Sequence, residues 1–386
     1  MTIHDFGVIS YINKHYEASR FLRQKAYNLD IESGVAQANH NTAANRYTIV
    51  TPDNMEINFG GASYRANDET EISLNTASNW DASGQIANYQ TAANRAGKDF
   101  YVYTEEPASM ISPAFILSAN STNPDGNTPA GNVRDADNTR KIGGFHCLCV
   151  SAGDIANHAL CDYVQGDILF LSVWSLDNRP ISNPEGMVLS EGHTMTNADN
   201  ESVVIPGAGI WVDIYLASGT GASTVSVNGG TITDNRNWMD HVDDFGAVKK
   251  QLLDDPEFQL IAEGSNQETN IAGSADPVTT GGHSDTASRR MISNIGCEDC
   301  CGAMGQWLRD QSFRSDYVAG WEWYDLPGGK GSLYNQDGAN GQADVKLMAG
   351  GDWSQATHCG SRSRDMHNYR WRTVTGNGGR GRSHSL

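Results

Sequence analysis

From Tyr47 onward the chain repeats one pattern: a short run in which apolar and polar side chains alternate, then a cluster of Asn, Asp, Gly, Ser or Thr. The runs "RYTIV", "MEINF", "TEISL", "DFYVY" and "AFILS" are divided by turn clusters such as "TPDN" and "NTASNWDASG". Period-two alternation puts successive side chains on opposite faces, so each run reads as a half-buried strand. Short strands at regular spacing must bury their apolar faces against other strands, which points to a sandwich or prism. A second set follows in "KIGGFHCLCV", "DILFLSVW", "GMVLSEG" and "GIWVDIYLASG", and the stretch 118–138 reads as a polar loop. The fold class expected is mainly β, with an α+β C-terminal domain.

Helical signals are few. One helix is expected around 16–36, within an N-terminal segment 1–45 that has too few apolar residues for a core of its own. "WMDHVDDFGAVKKQLLDD" offers an Asp N-cap with Phe245, Val248 and Leu252 on one face. "DDPEFQLIAEG" places Pro in a first turn and Gly at the end. "TASRRMISNIG" reads as a further short helix, and the Trp-, Gly- and Asn-rich chain beyond Gly302 shows few continuous strands. The organisation expected is a docking or oligomerisation segment 1–45, a β-rich, sandwich-like domain 46–165 and a C-terminal domain 166–386.

Of the 386 residues, 38% are hydrophobic and 19% charged, with 41 glycines, so neither a disordered polyelectrolyte nor a membrane protein is indicated. No apolar run approaches the ~20 residues that span a bilayer, and the N-terminal stretch lacks the apolar centre of a signal peptide. Synthesis in a cytosol without a cleaved signal is expected. The net charge of −19 disfavours nucleic acid as a partner. Against that balance, the stretch from Gly360 to the end carries six arginines and one acid, Asp365. Such a block is either solvated, bonded into the framework, or an anion-recognising patch.

Catalytic signatures are missing: the sequence holds no H-E-x-x-H, no G-x-S-x-G and no P-loop. "GNGGRG" (376–381) is followed by too few residues to build a phosphate-cradling helix. "CEDCC" (297–301) has the spacing of half a zinc site, with Cys359 or His358 as further donors, but buried incidental thiols are the simpler reading. Asp240–His241–Asp244 fits helix capping better than metal binding, and "DADN" (135–138) fits a turn. Seven cysteines include adjacent pairs too close to bridge each other, so reduced thiols are expected.

The C-terminal third carries a recognisable order of motifs: "GWEWYDLPGGKGSLY" (320–334), "LMAGGDW" (347–353), "CGSRSRDM" (359–366) and "GNGGRG". This order resembles the C-type lectin fold of the formylglycine-generating subtype. Two branches use it, sulfatase-modifying oxidases and the variable proteins of diversity-generating retroelements. "AGKDFYVY", "RKIGGFHC", "SNPEGMVLSEG", "GIWVDIYL" and "PEFQLIAEGSNQET" are similar to the second branch, which extends the resemblance over roughly 50–386. The first branch needs a pair of cysteines after Gly-Gly-x-Trp to hold copper, and only Cys359 follows that motif here.

The resemblance implies a phage virion protein, made in the host cytoplasm, that binds a host cell-surface protein or glycan and performs no catalysis. It implies a homotrimer joined to other virion proteins through the N-terminal segment, placed at a tail-fibre tip or on the capsid, with no cofactor, no metal and no membrane insertion. The receptor-binding side chains it implies are Asp352, Ser354, Gln355, Ala356, His358, Asp365, His367, Asn368, Arg372, Val374, Gly376 and Asn377, facing outward. Trp353, Gly360, Arg362, Arg380 and Gly381 would lock the backbone beneath them. Two other readings stand beside it: a virion decoration protein with no receptor role, and an oxidase of the formylglycine-generating type.

Overall fold

The structure is a computed structural model and describes residues 23–24, 43–51, 55–59, 62–66, 68–108, 113–312, 321–325, 329, 331–336 and 345–386. It is mainly β, as the alternation demanded. The chain forms two compact units: residues 1–148 with 165–179 and Leu386, and residues 149–164 with 180–385. The chain crosses between these units at 148/149, 164/165, 179/180 and 385/386. Most of 1–45 lies outside the described residues. Arg23–Gln24, inside the stretch expected to be helical, is instead a strand paired with Thr48–Val50.

In the first unit, Met55–Phe59, Glu71–Ser73, Asp99–Glu105 and Ala114–Ser118 form strands where the alternation placed them. A four-stranded antiparallel sheet runs in the order Ala114–Ser118, Asp99–Glu105, Thr139–His146, Trp174–Ser175. Its inner face buries Phe100, Val102, Leu117 and Phe145 against Ile49, Leu74 and Trp80. The Trp80 and Phe100 rings meet edge to face at 4.9 Å, a favoured aromatic geometry. The cluster "NTASNWDASG", read as turn, also starts a helix at Ala82–Ile86, because the Asp81 carboxylate caps the Gly84 amide at 2.8 Å. "DILFLSVW" is not one continuous strand: Ile168 bridges Cys147, a 3-10 turn at Phe170–Ser172 buries three successive side chains, and only Trp174 joins the sheet.

In the second unit, helix Trp238–Ala247 is capped by Asn237 rather than an aspartate, with Asp240 completing a capping box. It buries Phe245 and His241 and ends at Val248, so Leu252 falls in the next strand, Gln251–Leu252. Helix Asp255–Ile261 forms as expected, capped by Asp254 with Pro in its first turn. "TASRRMISNIG" is not helical; Ser284 bridges Arg290 and Ile292 bridges Glu298 in an irregular extended path.

The largest departure is beyond Gly302. The described residues there build a six-stranded sheet, ordered Trp321–Asp325, Ser332–Gln336, Gly360–Asn368, Val345–Gly350, Gly305–Ser312, Asn377–Gly378. Two of its pairings are parallel, Ser332–Gln336 with Gly360–Asn368 and Gly305–Ser312 with Asn377–Gly378. The final strand, Gly381–Ser383, inserts between Ile210–Asp213 and Gln251–Leu252 in a separate sheet. All seven cysteines are buried free thiols, including Cys297, Cys300, Cys301 and Cys359.

Candidate functional site

Gly360–Asn368 lies inside the six-stranded sheet, and its period fixes what can meet. Asp365 and His367 fall two apart, on one face. The parallel register sets Tyr334 opposite Asp365, and the antiparallel register sets Met348 opposite it on the other side. The chain leaves Val345–Gly350 through two left-handed glycines, Gly350 at φ +89° and Gly351 at φ +79°. A Cβ on Gly350 would sit 2.3 Å from the Cys300 carbonyl oxygen, so only glycine fits. This corner delivers Asp352, whose Oδ1 accepts hydrogen bonds from the Ser354 amide (2.8 Å) and hydroxyl (2.7 Å). The Asp352 amide in turn donates to Gln355 Oε1 at 3.1 Å.

These segments enclose a bowl of about 420 Å3, lined by Tyr334, Asp352, Gln355, Asp365, His367, Asn368, Arg372, Val374 and Asn377. A narrow inner pocket of about 20 Å3 shares Asp352, Gln355, Asp365 and Asn377 with it and reaches Trp323, Met348 and Arg364. Asp365 pairs with His367 through Oδ1. Burial holds Asp352 above the ordinary carboxylate range, and the charge on Asp365 adds to the effect. Burial and the same aspartate raise the Tyr334 phenol, while Arg372 opposes them.

Beside the bowl, His358 stacks on Trp323 with ring centroids 4.2 Å apart, and Trp323 stacks on Tyr334 at 4.5 Å. His367 closes the ladder edge-on to Tyr334 at 5.6 Å. Trp323 is therefore stacked against two rings. Tyr369 and Trp371 form a second pair at 4.9 Å, with Trp371 56% exposed.

The structure brings together Asp352, Gln355, Asp365, His367, Asn368, Arg372, Val374 and Asn377 from the expected set. Ser354 and Ala356 are exposed on the adjoining turn, His358 caps the aromatic ladder, and Gly376 packs toward Asp352. Asn368 and Asn377 are not outward: they are only 2% and 3% exposed, because neighbouring strands cover them. Tyr334 and Trp323 were missed as lining residues. They stand in the motif 320–334, and their place depends on a parallel pairing that no local period announces.

Beneath the bowl, Trp353 packs on Met291, Ala303 and Met304. Arg380 is buried and donates to the carbonyls of Asp213 (2.7 Å), Ile214 (2.6 Å) and Glu298, and to Gln306 Oε1 at 3.0 Å. Arg362, expected to lock the backbone, is exposed. Arg364 takes that role instead: it is 4% exposed, donates to Asp255 Oδ1 from Nε at 2.7 Å and lies over the Phe258 ring at 5.2 Å. Helix Asp255–Ile261 carries both partners, and its position selects the arginine.

Comparison with known proteins places this geometry. Residues 57–175 match the family described as the Mtd second domain. Solved structures of the major tropism determinant of a Bordetella phage share the fold. The U1 variant superposes with a TM-score of 0.62 at 20% identity, covering 94% of this chain and 86% of that one. The P3c variant gives 0.60 at 22% identity, over 88% and 81%, and the I1 variant 0.61 at 21%, over the same shares. Among curated proteins none matches the sequence. The chain is thus similar to the major tropism determinant.

Proposed function

We propose that this protein is the receptor-binding protein of a phage virion and attaches it to the host surface through the bowl, without catalysis. The observation that supports the reading is convergence: side chains from 352–377, implied by the motif order alone, line one concavity on a rigid sheet. Pockets with a few convergent polar groups are the usual form of a binding site. Its backbone is fixed by the Gly350–Gly351 corner, Trp353, Arg364 and Arg380, so little ordering entropy opposes binding. The lining can change without refolding, which is what diversification by a retroelement would require.

In this reading the chain assembles as a homotrimer through 1–45 and the β-rich domain 46–165, and presents its lectin-type domain 166–386 at a tail-fibre tip or on the capsid. Clustered sites strengthen weak single contacts. An oxidase needs reactive thiolates, whereas burial pushes the Cys359 thiol up to about 12.

The test is adsorption of virions carrying Gln355→Ala, His367→Ala or Val374→Ala to their bacterial host. Each variant should melt within about 2 °C of the parent, since such sites contribute little to stability. At least one should adsorb about tenfold more slowly, because a few residues dominate an interface. Normal adsorption by all three would leave the decoration-protein reading in its place.

A further inference from the structure

Resting on the binding reading, we infer that the bowl takes a lysine side chain of a host surface protein, with its ammonium in the inner pocket between Asp352 and Asp365. Each carboxylate leaves one oxygen unused. Asp352 Oδ1 is engaged by Ser354 and Asp365 Oδ1 by His367. Oδ2 of each has no protein partner among the described residues, and both side chains line the bowl and the inner pocket.

Two buried amides supply an independent observation. Asn377 Nδ2 and Asn368 Oδ1 are buried without a hydrogen-bond partner among the described residues. Asn377 lines both concavities and Asn368 the bowl. A buried polar group left unpaired is costly, so such groups mark a place where a ligand completes the bonding. An ammonium carries three donors and no acceptor. Asp352 Oδ2 and Asp365 Oδ2 offer two acceptors in the inner pocket and the unpaired Asn368 Oδ1 one at the bowl, while the unpaired Asn377 Nδ2 is a donor and contributes an acceptor only with its amide turned end for end.

Size narrows the choice. The inner pocket's 20 Å3 suits one water-sized group. An ammonium is of that size, and a planar guanidinium is larger. The bowl outside is wide enough for an unbranched four-carbon stem, with Val374 and Tyr334 as apolar neighbours. A sugar ring stacks on a free aromatic face; Trp323 in the inner pocket is already stacked on Tyr334 and His358, and the exposed Trp371 is not among the lining residues of either concavity. Arg364 also lines the inner pocket but its guanidinium is paired with Asp255, whereas Arg372 repels an ammonium that stays in the bowl.

The experiment uses the full-length protein and Nα-acetyl-lysine methylamide, followed by saturation transfer from protein to probe. Transfer should be strong for this probe, and about tenfold weaker for the Nε-acetylated form, for the arginine counterpart and for glucosamine. Asp352→Asn and Asp365→Asn should each weaken the lysine probe about tenfold. Arg372→Ala should tighten it two- to threefold at low salt, a readout that survives if an aspartate variant fails to fold. Equal transfer from the arginine probe or glucosamine, or unchanged binding in the Asn variants, overturns the inference. In a second arm, acetylating the amines of host cells should slow adsorption about tenfold and periodate should not. If adsorption depends on the bowl yet ignores acetylation, the lysine is wrong and the receptor reading stands. If virions ignore the bowl while the lysine probe binds as stated, the pocket chemistry stands and the receptor reading falls.

Discussion

At His158 a single side chain ties stability to acidity. The ring is buried; Nε2 meets the Ile292 carbonyl at 3.2 Å and Nδ1 accepts the Leu160 amide at 3.1 Å. That pattern satisfies only the neutral tautomer, and burial lowers the pKa to about 3. His241, likewise buried, is lowered to about 4. A folded pKa below the unfolded value means the unfolded chain binds more protons, so the stability is complete above pH 6.5 and is lost as pH falls toward 4. Melting temperature should drop progressively across pH 6.5–4, and His158→Gln should flatten that slope; an equal slope in the variant would remove His158 from the account. Arg362 and Arg364 show why some of this was hidden. Both fall on the same face by period, and only the arrival of Asp255 from a distant helix distinguishes them. Arg364→Ala should cost about 3 kcal/mol in denaturant melts, since a buried pair is broken, and Arg362→Ala under about 0.5 kcal/mol.

At the scale of elements, legibility followed locality. The strands between Tyr47 and Ser118 and the helix Asp255–Ile261 were readable because alternation, caps and Pro act over a few residues. The sheet beyond Gly302 was not, since its strands carry Trp, Gly and Arg without alternation and two of them pair in parallel across long chain separations. Burial of Asn368 and Asn377 follows from the same pairings, so the outward expectation failed there. The Gly350–Gly351 corner was legible as a motif, and the structure supplies its cause. Gly350→Ala must push against the Cys300 carbonyl and hold alanine at φ +89°, so it should destabilise by about 2–4 kcal/mol. Chemical denaturation reads this directly, and a cost under about 1 kcal/mol would show that the corner can relax.

For the molecule as a whole, charge and assembly remain coupled to the proposed role. The arginine block near the C-terminus is largely spent on structure: Arg364 pairs with Asp255, Arg380 with carbonyls and Arg382 with Glu257. The surplus acid elsewhere keeps copies soluble at high concentration. Residues 1–45 hold too few apolar side chains for a core of their own. The chain should therefore be an obligate homo-oligomer held by residues 1 to about 140, and light scattering that finds a stable monomer at micromolar concentration would contradict this. One further consequence lies in how the bowl is distributed along the gene. Among the described residues, every one lining the bowl except Tyr334 falls within 352–377. In the proposed reading, the part that chooses a partner is thus a nearly contiguous cassette, and the part that supports it is encoded elsewhere. Splicing that cassette into a protein of the same fold would reprogram its target in one step, with Tyr334 the single outlying residue to carry across.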